Sequence, residues 1–194
     1  MGMSCPNCGR ETEFPVFPYI NIEDEPRFKD EILSGRLFHF ACRECAFETP
    51  VNYNMLYKDR EKKLLILLYP GEEDVPRELD ESLLVYEDGW HIRMVRDARE
   101  LDETVEIFDH ERDDRVLSAM KILARKLFAE KNPDTALGTL YYDGEADAFA
   151  GETVGGAIYF PVRDDEYEVI AKSVPPETKT FLRVDEAYGK SLLK

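Results

Sequence analysis

The residues best suited to chemistry in this sequence are four cysteines, which occur as two pairs with one spacing. The pairs Cys5–Cys8 and Cys42–Cys45 each enclose two residues. This spacing lets both sulfur atoms of a tight turn point at one ion. Thiolates are soft ligands, and four of them complete a tetrahedron around Zn²⁺ with no position left for water or substrate. The pattern therefore predicts one structural zinc ion bound by Cys5, Cys8, Cys42 and Cys45.

Two other interpretations of the cysteines stay open. One is two pairs of reduced thiols without a metal. The other is a redox role for Cys5 and Cys8, which is disfavoured because the motif does not lie at the strand-to-helix junction of a thioredoxin-like unit. The 33 residues between Cys8 and Cys42 exceed what a compact ribbon needs, and an inserted helix would account for them.

The three histidines are not predicted to bind the metal. His39 precedes Cys42 by three residues. The alternation of the strand around it places its side chain opposite the apolar ones. We interpret His39 as an exposed residue or one that neighbours the metal, and we assign no role to His91 and His110.

The charge of the chain limits its partners. The 194 residues include 41 acidic and 25 basic ones, and the formal net charge is −16. Non-specific nucleic-acid binding depends on Lys and Arg neutralising phosphates, so this charge argues against nucleic acid and against an anionic membrane surface. No apolar run approaches the roughly 20 residues of a bilayer span. With 43% apolar residues, the composition indicates a globular protein of one domain or two small ones.

The negative charge is concentrated in the acidic segment, residues 71–114. This segment holds 17 acidic and 5 basic residues, a net charge of −12, whereas residues 1–70 hold 11 acidic and 9 basic ones. We interpret the acidic segment as a docking surface for a basic protein partner, because complementary charge speeds encounter. The alternative is that it only confers solubility.

The strands and helices that must position the cysteines are predicted from the periodicity of apolar residues and from the positions of Pro and Gly. Pro15 and Pro18 favour an edge strand over a central one. Five consecutive apolar residues, Leu64–Leu68, indicate a strand covered on both faces. In chain order the predicted elements are an edge strand in 11–22, a helix from Pro26 to Gly35, strands at 36–41 and 46–52, a hairpin of 55–57 and 63–69, and a linker at 71–80.

Helices and then strands are predicted beyond the linker. Asp97 is a helix N-cap, and Glu100 three residues later completes a capping box. Asp143-Gly144 indicates a hairpin turn, because both turn positions require a positive φ. The predicted elements are a strand at 90–95, a helix from 97 to about 110, a helix from 113 or 114 to Asn132, a meander of 137–142, 146–150, 157–162 and 167–172, and a closing strand and short helix in 181–192.

No second motif in the sequence assigns a reaction. There is no Walker loop, Gly-x-Gly-x-x-Gly, Gly-x-Ser-x-Gly or His-Glu-x-x-His. The acidic residues of 109–114 lack the central glycine and distant glutamate of an EF-hand loop, and we interpret them as acids at a helix N-terminus. No catalytic or cofactor-binding residue is therefore assigned. The local basic patch that would suit a nucleic acid consists of Lys58, Arg60, Lys62 and Lys63.

The cysteine motifs and their surroundings resemble the CpXC domain proteins of bacteria and archaea, a family without an assigned biochemical function. The resemblance covers about residues 1–125. Its matching stretches are Ser4–Gly9, Ile32–Phe38, Cys42–Cys45, Asn54–Asp59, Arg93–Asp97, Ile107–Asp109 and Asp113–Arg115. Arg43 stands where the second motif of the family usually has proline, and Ala46 where glycine is common. The resemblance implies a domain of zinc-ribbon type with a bound metal, and it supplies no reaction.

Together these observations predict an α+β protein. A zinc-ribbon-like unit with an inserted helix spans residues 1–70. An acidic helical segment and an antiparallel meander span 71–194, either as a second domain or as a continuation of one fold. We expect a non-catalytic, zinc-stabilised binding or regulatory protein in the cytoplasm, because paired cysteines without a signal sequence fit that compartment. The alternatives are an enzyme with a pocket between the two parts and a nucleic-acid-associated zinc ribbon.

Overall fold

The computed structural model describes residues 2–71, 79 and 82–193. The chain divides into two compact units: the cysteine unit, Met1–Asp102 with Lys179–Phe181, and the C-terminal unit, Glu103–Thr178 with Leu182–Lys194. Helices and antiparallel strands occur in both units, which confirms the predicted α+β class. The domain boundary predicted at residue 70 stays a prediction, because compactness does not test independent folding. The linker predicted at 71–80 lies largely outside the described residues.

The regular elements in the described part of the cysteine unit are short strands, one complete helix, the start of a second helix and two 3-10 turns. Its strands are β1 (Gly2–Ser4), β2 (Glu11–Glu13), β3 (Tyr19–Asn21), β4 (His39–Ala41), β5 (Glu48–Pro50), β6 (Met55–Asp59), β7 (Leu64–Leu68) and β8 (His91–Val95). Helix α1 spans Arg27–Leu33, and 3-10 turns span Arg36–Phe38 and Leu83–Val85. Helix α2 (Ala98–Asp109) begins in this unit and ends in the next.

A four-stranded sheet in the order β3-β6-β7-β8 forms the main layer of the cysteine unit. β6 and β7 are antiparallel, while β3 pairs with β6 and β8 with β7 in parallel. All five residues of β7 are buried, which confirms the strand covered on both faces. β3 lies at the edge of the sheet, as Pro15 and Pro18 predicted.

A small apolar cluster packs on this sheet. Its buried members are Leu65, Leu83 and Ile92, and Tyr86 and Trp90 pack against them half-buried. The ring centroids of Tyr86 and Trp90 lie 4.7 Å apart with the rings edge to face, an arrangement favoured by the aromatic quadrupole. The cluster therefore joins the 3-10 turn at Leu83–Val85 to β7 and β8.

Several predicted strands are shorter in the structure. Of residues 11–22, only the ends are extended, as β2 and β3, because the prolines interrupt the run between them. Of residues 36–41, the first three form a 3-10 turn. Gly35 precedes that turn with a φ of +70°, a conformation that ends α1 and that glycine adopts without steric cost.

A buried ion pair attaches α1 to the sheet. Asp59, the last residue of β6, is 3% exposed, and its carboxylate accepts a hydrogen bond from Lys29 Nζ at 2.9 Å and from the backbone N–H of Lys62 at 3.1 Å. Burial alone would raise the pKa of Asp59. The Lys29 ammonium and the backbone donors outweigh that effect and hold the pKa below its ordinary value. The carboxylate is therefore ionised in the folded unit at neutral pH.

The C-terminal unit combines helices with one sheet. Its further elements are α3 (Asp114–Lys131), β9 (Tyr141–Asp143), β10 (Ala148–Thr153), β11 (Gly156–Pro161), α4 (Asp164–Ala171) and α5 (Glu186–Leu192). The strands form one antiparallel sheet in the order β11-β10-β9. Val116, Leu117 and Phe149 are among the residues of its apolar core. None of the described helices is both long and apolar enough to cross a bilayer.

Helices α2 and α3 begin at the predicted caps. Asp97 Oδ1 accepts the backbone N–H of Glu100 at 2.9 Å, and Glu100 in turn accepts the N–H of Arg96 at 2.8 Å. Asp113 Oδ1 accepts the N–H of Arg115 at 2.9 Å at the start of α3. The bonds to the N–H groups of Glu100 and Arg115 satisfy donors that a helix start leaves without a partner. Asp97 and Asp113 are therefore structural parts of the helix starts.

Residues 167–172 were predicted as the last strand of the meander, and this prediction is wrong, because the structure forms helix α4 there. Three acidic residues occupy the first turn of α4, where the helix dipole favours them. Arg112 Nη1 donates to Asp164 at 3.0 Å, and the guanidinium lies 4.9 Å from the ring centroid of Tyr167. The acidic run therefore starts a helix, and the meander has three strands.

Gly144 is needed for space and not for a positive φ. The turn between β9 and β10 has four residues, since Asp143 pairs with Ala148, and the positive φ in it, +44°, belongs to Asp147. The predicted two-residue turn is therefore wrong. A Cβ on Gly144 would lie 2.2 Å from the imidazole ring of His110. Only glycine permits this approach of the turn to the end of α2.

We expect Gly144→Ala to destabilise the protein by about 1–3 kcal/mol, because the added methyl group overlaps the ring of His110. Gly155→Ala is the matched control, since its Cβ would meet Thr153 Oγ1 at an ordinary 3.5 Å. Urea unfolding followed by circular dichroism measures both variants. Adding His110→Ala to Gly144→Ala should restore most of the loss, and equal stability of the two glycine variants would contradict the steric explanation.

Asp59→Asn should lower the free energy of unfolding by about 2 kcal/mol at pH 7, because it removes one charge from a buried hydrogen-bonded pair. The lowered pKa of Asp59 contributes stability that is present above the unfolded aspartate pKa of about 4 and is lost as the pH falls through the folded value. The difference from wild type should therefore shrink as the pH falls.

Unfolding curves at a series of pH values test this, with Asp30→Asn on the exposed side of α1 as the control. We expect the control to change stability by no more than about 0.5 kcal/mol at any pH. A wild-type advantage over Asp59→Asn that stays constant into acid would show that the ionised carboxylate has no such role.

Candidate metal centre

Two short hairpins carry the cysteines. β1 and β2 pair in antiparallel fashion on either side of the first pair, and β4 and β5 do so around the second. The loops between these strands are the two knuckles: the first knuckle is residues 5–10 and the second knuckle is residues 42–47. Two such hairpins facing each other are the arrangement of a zinc ribbon, which supports the predicted type of unit.

The two knuckles have the same backbone hydrogen bonds. In each, the N–H of the first cysteine donates to the carbonyl five residues later, and the N–H four residues later donates back to the carbonyl of that cysteine. The bonds are Cys5 to Arg10 at 2.8 Å, Gly9 to Cys5 at 2.9 Å, Cys42 to Phe47 at 2.8 Å and Ala46 to Cys42 at 3.0 Å. The knuckles therefore present their sulfur atoms in the same way.

A positive φ is part of this conformation. Gly9 has a φ of +72°, and Ala46 at the equivalent position has a φ of +55°. The left-handed region costs a residue with a Cβ about 1–2 kcal/mol. The second knuckle therefore stores strain that the first one avoids, and the interactions around its cysteines must offset it.

The four sulfur atoms converge. Cys5 Sγ lies 3.7 Å from Cys45 Sγ, Cys8 Sγ lies 3.7 Å from Cys42 Sγ, and all four lie within 4.8 Å of one another. A disulfide needs a separation of about 2.05 Å, so these are free thiols. A tetrahedron with metal–sulfur bonds of about 2.3 Å has edges of about 3.8 Å. The two close contacts match that edge, so the cluster has the geometry of a metal site.

An apolar cluster supports the knuckles from one side. Cys5 and Cys42 are 2% and 3% exposed and pack with Phe14 and Phe40, whose ring centroids are 6.3 Å apart. Tyr53 completes the aromatic layer, 6.3 Å from Phe14, and its hydroxyl accepts the N–H of Phe17 at 3.4 Å. The first cysteine of each knuckle is thus anchored in the core of the unit.

The second cysteine of each knuckle lies nearer to solvent. Cys8 is exposed and Cys45 is half-buried. The side-chain amide of Asn7 donates to Cys45 Sγ at 3.4 Å and so joins one knuckle to the other. Asn7 is not among the site residues predicted from the sequence. It lies between two cysteines, and its side-chain amide can donate to a sulfur atom, so the motif itself carried the information.

The thiols differ in how their ionised forms are stabilised. The Asn7 amide, together with the backbone N–H of Phe47, lowers the pKa of Cys45 to about 6. At Cys8 the backbone N–H of Arg10 acts in the same direction, but desolvation and hydrogen bonds among the thiols outweigh it and raise the pKa to about 12. The Cys45 thiolate thus forms ahead of the Cys8 thiolate, and a divalent cation bound by the cluster would favour the ionised form of all four.

The histidines do not join the cluster. Among the described residues, the four cysteines are the group whose ligand atoms converge closely enough to hold a metal. His39 is exposed and its Nε2 lies 3.3 Å from a carboxylate oxygen of Glu48 on the neighbouring strand. His91 lies at the start of β8, and His110 packs beside Gly144. The three imidazoles therefore lie outside the four-sulfur cluster.

The residues of the predicted basic patch lie in β6 and in the turn that joins β6 to β7. Lys58 Nζ lies 6.0 Å from the ring centroid of Trp90, and Arg60 lies 4.0 Å from a carboxylate oxygen of Glu23. The backbone of Lys62 donates to Asp59, as described above. These contacts give the patch a part in the packing of the hairpin, and no observation here assigns it a nucleic acid.

Comparison with known proteins identifies the family. Residues 3–121 match the CpXC protein family. The matched stretch includes both knuckles, the sheet of the cysteine unit and the start of α3. No curated protein and no solved structure matches the chain. The matched stretch exceeds half of the 194 residues and agrees with the resemblance seen in the motifs. The chain therefore belongs to the CpXC protein family.

Proposed function

We propose that this chain is a non-catalytic, zinc-stabilised binding protein in which Cys5, Cys8, Cys42 and Cys45 hold one Zn²⁺. The observation that carries the proposal is the 3.7 Å separation of the sulfur atoms across the two knuckles. Four thiolates fill the tetrahedral coordination of zinc and leave no position for a substrate. The metal therefore has a structural role.

The donor set favours zinc over other cations. Calcium and magnesium prefer oxygen ligands, whereas zinc binds four thiolates without a redox change. Iron accepts the same ligands in the same geometry, so metal analysis of the purified protein must decide between the two. Free thiols in every pair also suit a reducing compartment, which is why we place the protein in the cytoplasm.

Zinc would close a loop that contains much of the cysteine unit. The residues between the knuckles include β3 and α1, and both contact the sheet, through β6 and through the Lys29–Asp59 pair. Binding energy at a structural zinc site, about 10–16 kcal/mol in small zinc-binding peptides, is folding energy for the parts that it joins. Loss of the metal should therefore loosen the edge of the sheet as well as the knuckles.

The binding role is assigned to the acidic segment, residues 71–114, with a basic protein as partner. Several carboxylates of this segment have internal roles. Asp97 and Asp113 cap helices, Glu103 pairs with Lys121, and Glu106 accepts the N–H of Gly144 at 2.9 Å. The remaining charge of the segment lies mainly in residues 72–88, which hold eight acidic residues and one arginine, and we propose that these acidic residues bind the partner. Within these, Asp88 is 97% exposed beside Lys179.

Native mass spectrometry of the purified chain should show one zinc ion per chain. Cys42→Ser should lose the zinc and lower the melting temperature, because three thiolates cannot close the site. Arg43→Ala, which changes an exposed residue of the same knuckle, is the matched control and should keep the metal. Iron in the wild-type chain, or a metal-free chain of full stability, would contradict the assignment.

If residues 72–88 bind a basic protein, that binding should weaken at high salt and should require the acidic residues of 72–88. Affinity capture from a lysate at low and high salt should retain a basic protein only at low salt. Glu72→Gln, Glu73→Gln and Asp74→Asn combined should release it. The same change of charge at the exposed Glu130, Asp134 and Glu145 of the C-terminal unit is the control. Equal retention by both triple variants, or no basic partner at low salt, would reject the docking surface.

A further inference from the structure

We propose that Cys8 is the reactive ligand of this centre, at which soft electrophiles and peroxides react first, and that peroxide oxidation links it to Cys42 across the knuckles. The proposal rests on the metal binding proposed above. It concerns a site of chemical modification. The cysteine spacing does not distinguish the four ligands, but the structure shows that they differ in exposure and in hydrogen bonding.

Access to the sulfur atoms separates the ligands into two kinds. Cys5 and Cys42 are 2% and 3% exposed and lie against Phe14 and Phe40, so a reagent in solution does not reach them in the folded chain. Cys8 is exposed, and Cys45 is only half-buried. The choice of the first site is therefore between the second cysteines of the two knuckles.

Hydrogen bonding decides between Cys8 and Cys45. The side-chain amide of Asn7, in the first knuckle, donates through Nδ2 to Cys45 Sγ at 3.4 Å. A donor bound to a sulfur lone pair competes with an electrophile for that pair and also covers the atom. Cys45 is therefore protected by the side chain of the other knuckle, and Cys8 is the more exposed nucleophile.

The position of Cys42 determines the product of oxidation. The Cys8 thiolate attacks a peroxide oxygen, the O–O bond breaks, and a sulfenic acid and hydroxide form. The Cys42 thiolate, 3.7 Å away, then attacks the Cys8 sulfur and displaces the sulfenic oxygen as hydroxide. Two thiolates are oxidised to one disulfide, and the peroxide, with two protons from solvent, is reduced to water or to an alcohol and water. The metal loses two of its four ligands.

Alkylation of the zinc-loaded full chain tests the reactive ligand. Limiting iodoacetamide, followed by peptide mass spectrometry, should modify Cys8 ahead of Cys45, and Cys5 and Cys42 last. Asn7→Ala should raise the rate at Cys45 about 2- to 10-fold, the effect of losing one hydrogen bond, with the rate at Cys8 unchanged. Asn54→Ala, at an exposed asparagine outside the knuckles, is the control and should change neither rate.

Peroxide treatment of the same sample tests the product. Non-reducing peptide mapping should find the Cys8–Cys42 disulfide together with release of one zinc ion. A Cys5–Cys8 disulfide as the first product, or Cys45 as the first residue alkylated, would overturn the inference while leaving the zinc site intact. A purified chain without zinc would overturn the zinc assignment and this inference together, so metal content is measured before either reagent is added.

Discussion

Repulsion among four thiolates is the constraint on which the cysteine unit depends. The sulfur atoms lie within 4.8 Å of one another. At about 4 Å two unit charges near a protein surface repel by about 4 kcal/mol, and four thiolates contain several such pairs. The apolar cluster of Phe14 and Phe40 on one side adds to the cost by excluding water. The cluster can therefore be fully ionised only around a cation. The strained turn at Ala46 directly follows Cys45, whose sulfur atom converges with the other three.

The convergence of the cysteines also determines where the chain between the knuckles can lie. The knuckles are far apart in sequence, and the chain between them contributes β3 to the edge of the main sheet and α1 to its surface. The sheet in turn has β7 as its fully buried centre. The metal site and the sheet are thus two anchors of one inserted segment. The segment between the knuckles is therefore held at the cysteines and, through β3 and the Lys29–Asp59 pair, at the sheet.

Features with a local cause could be predicted from the sequence, and features with a tertiary cause could not. The cysteine spacing, the caps at Asp97 and Asp113 and the apolar run of β7 each act within a few residues, and the structure contains the elements that they predicted. Helix α4 was missed because its acidic first turn also suits a hairpin loop, and Arg112 is far away in sequence. The reason for Gly144 was missed because it depends on His110. The bond from Asn7 to Cys45 joins two knuckles and has no local pattern.

The placement of Trp90 gives the protein a built-in optical reporter. It is the single tryptophan of the chain and packs beside Tyr86 in the cysteine unit. Indole emission responds to the polarity and the neighbours of the ring, so tryptophan fluorescence, excited at wavelengths that tyrosine does not absorb, reports the state of this unit. The long helix α3 lies in the C-terminal unit and contributes strongly to far-ultraviolet ellipticity. The two signals, recorded on one unmodified sample, thus resolve whether the units, which are joined through α2, melt together or one after the other.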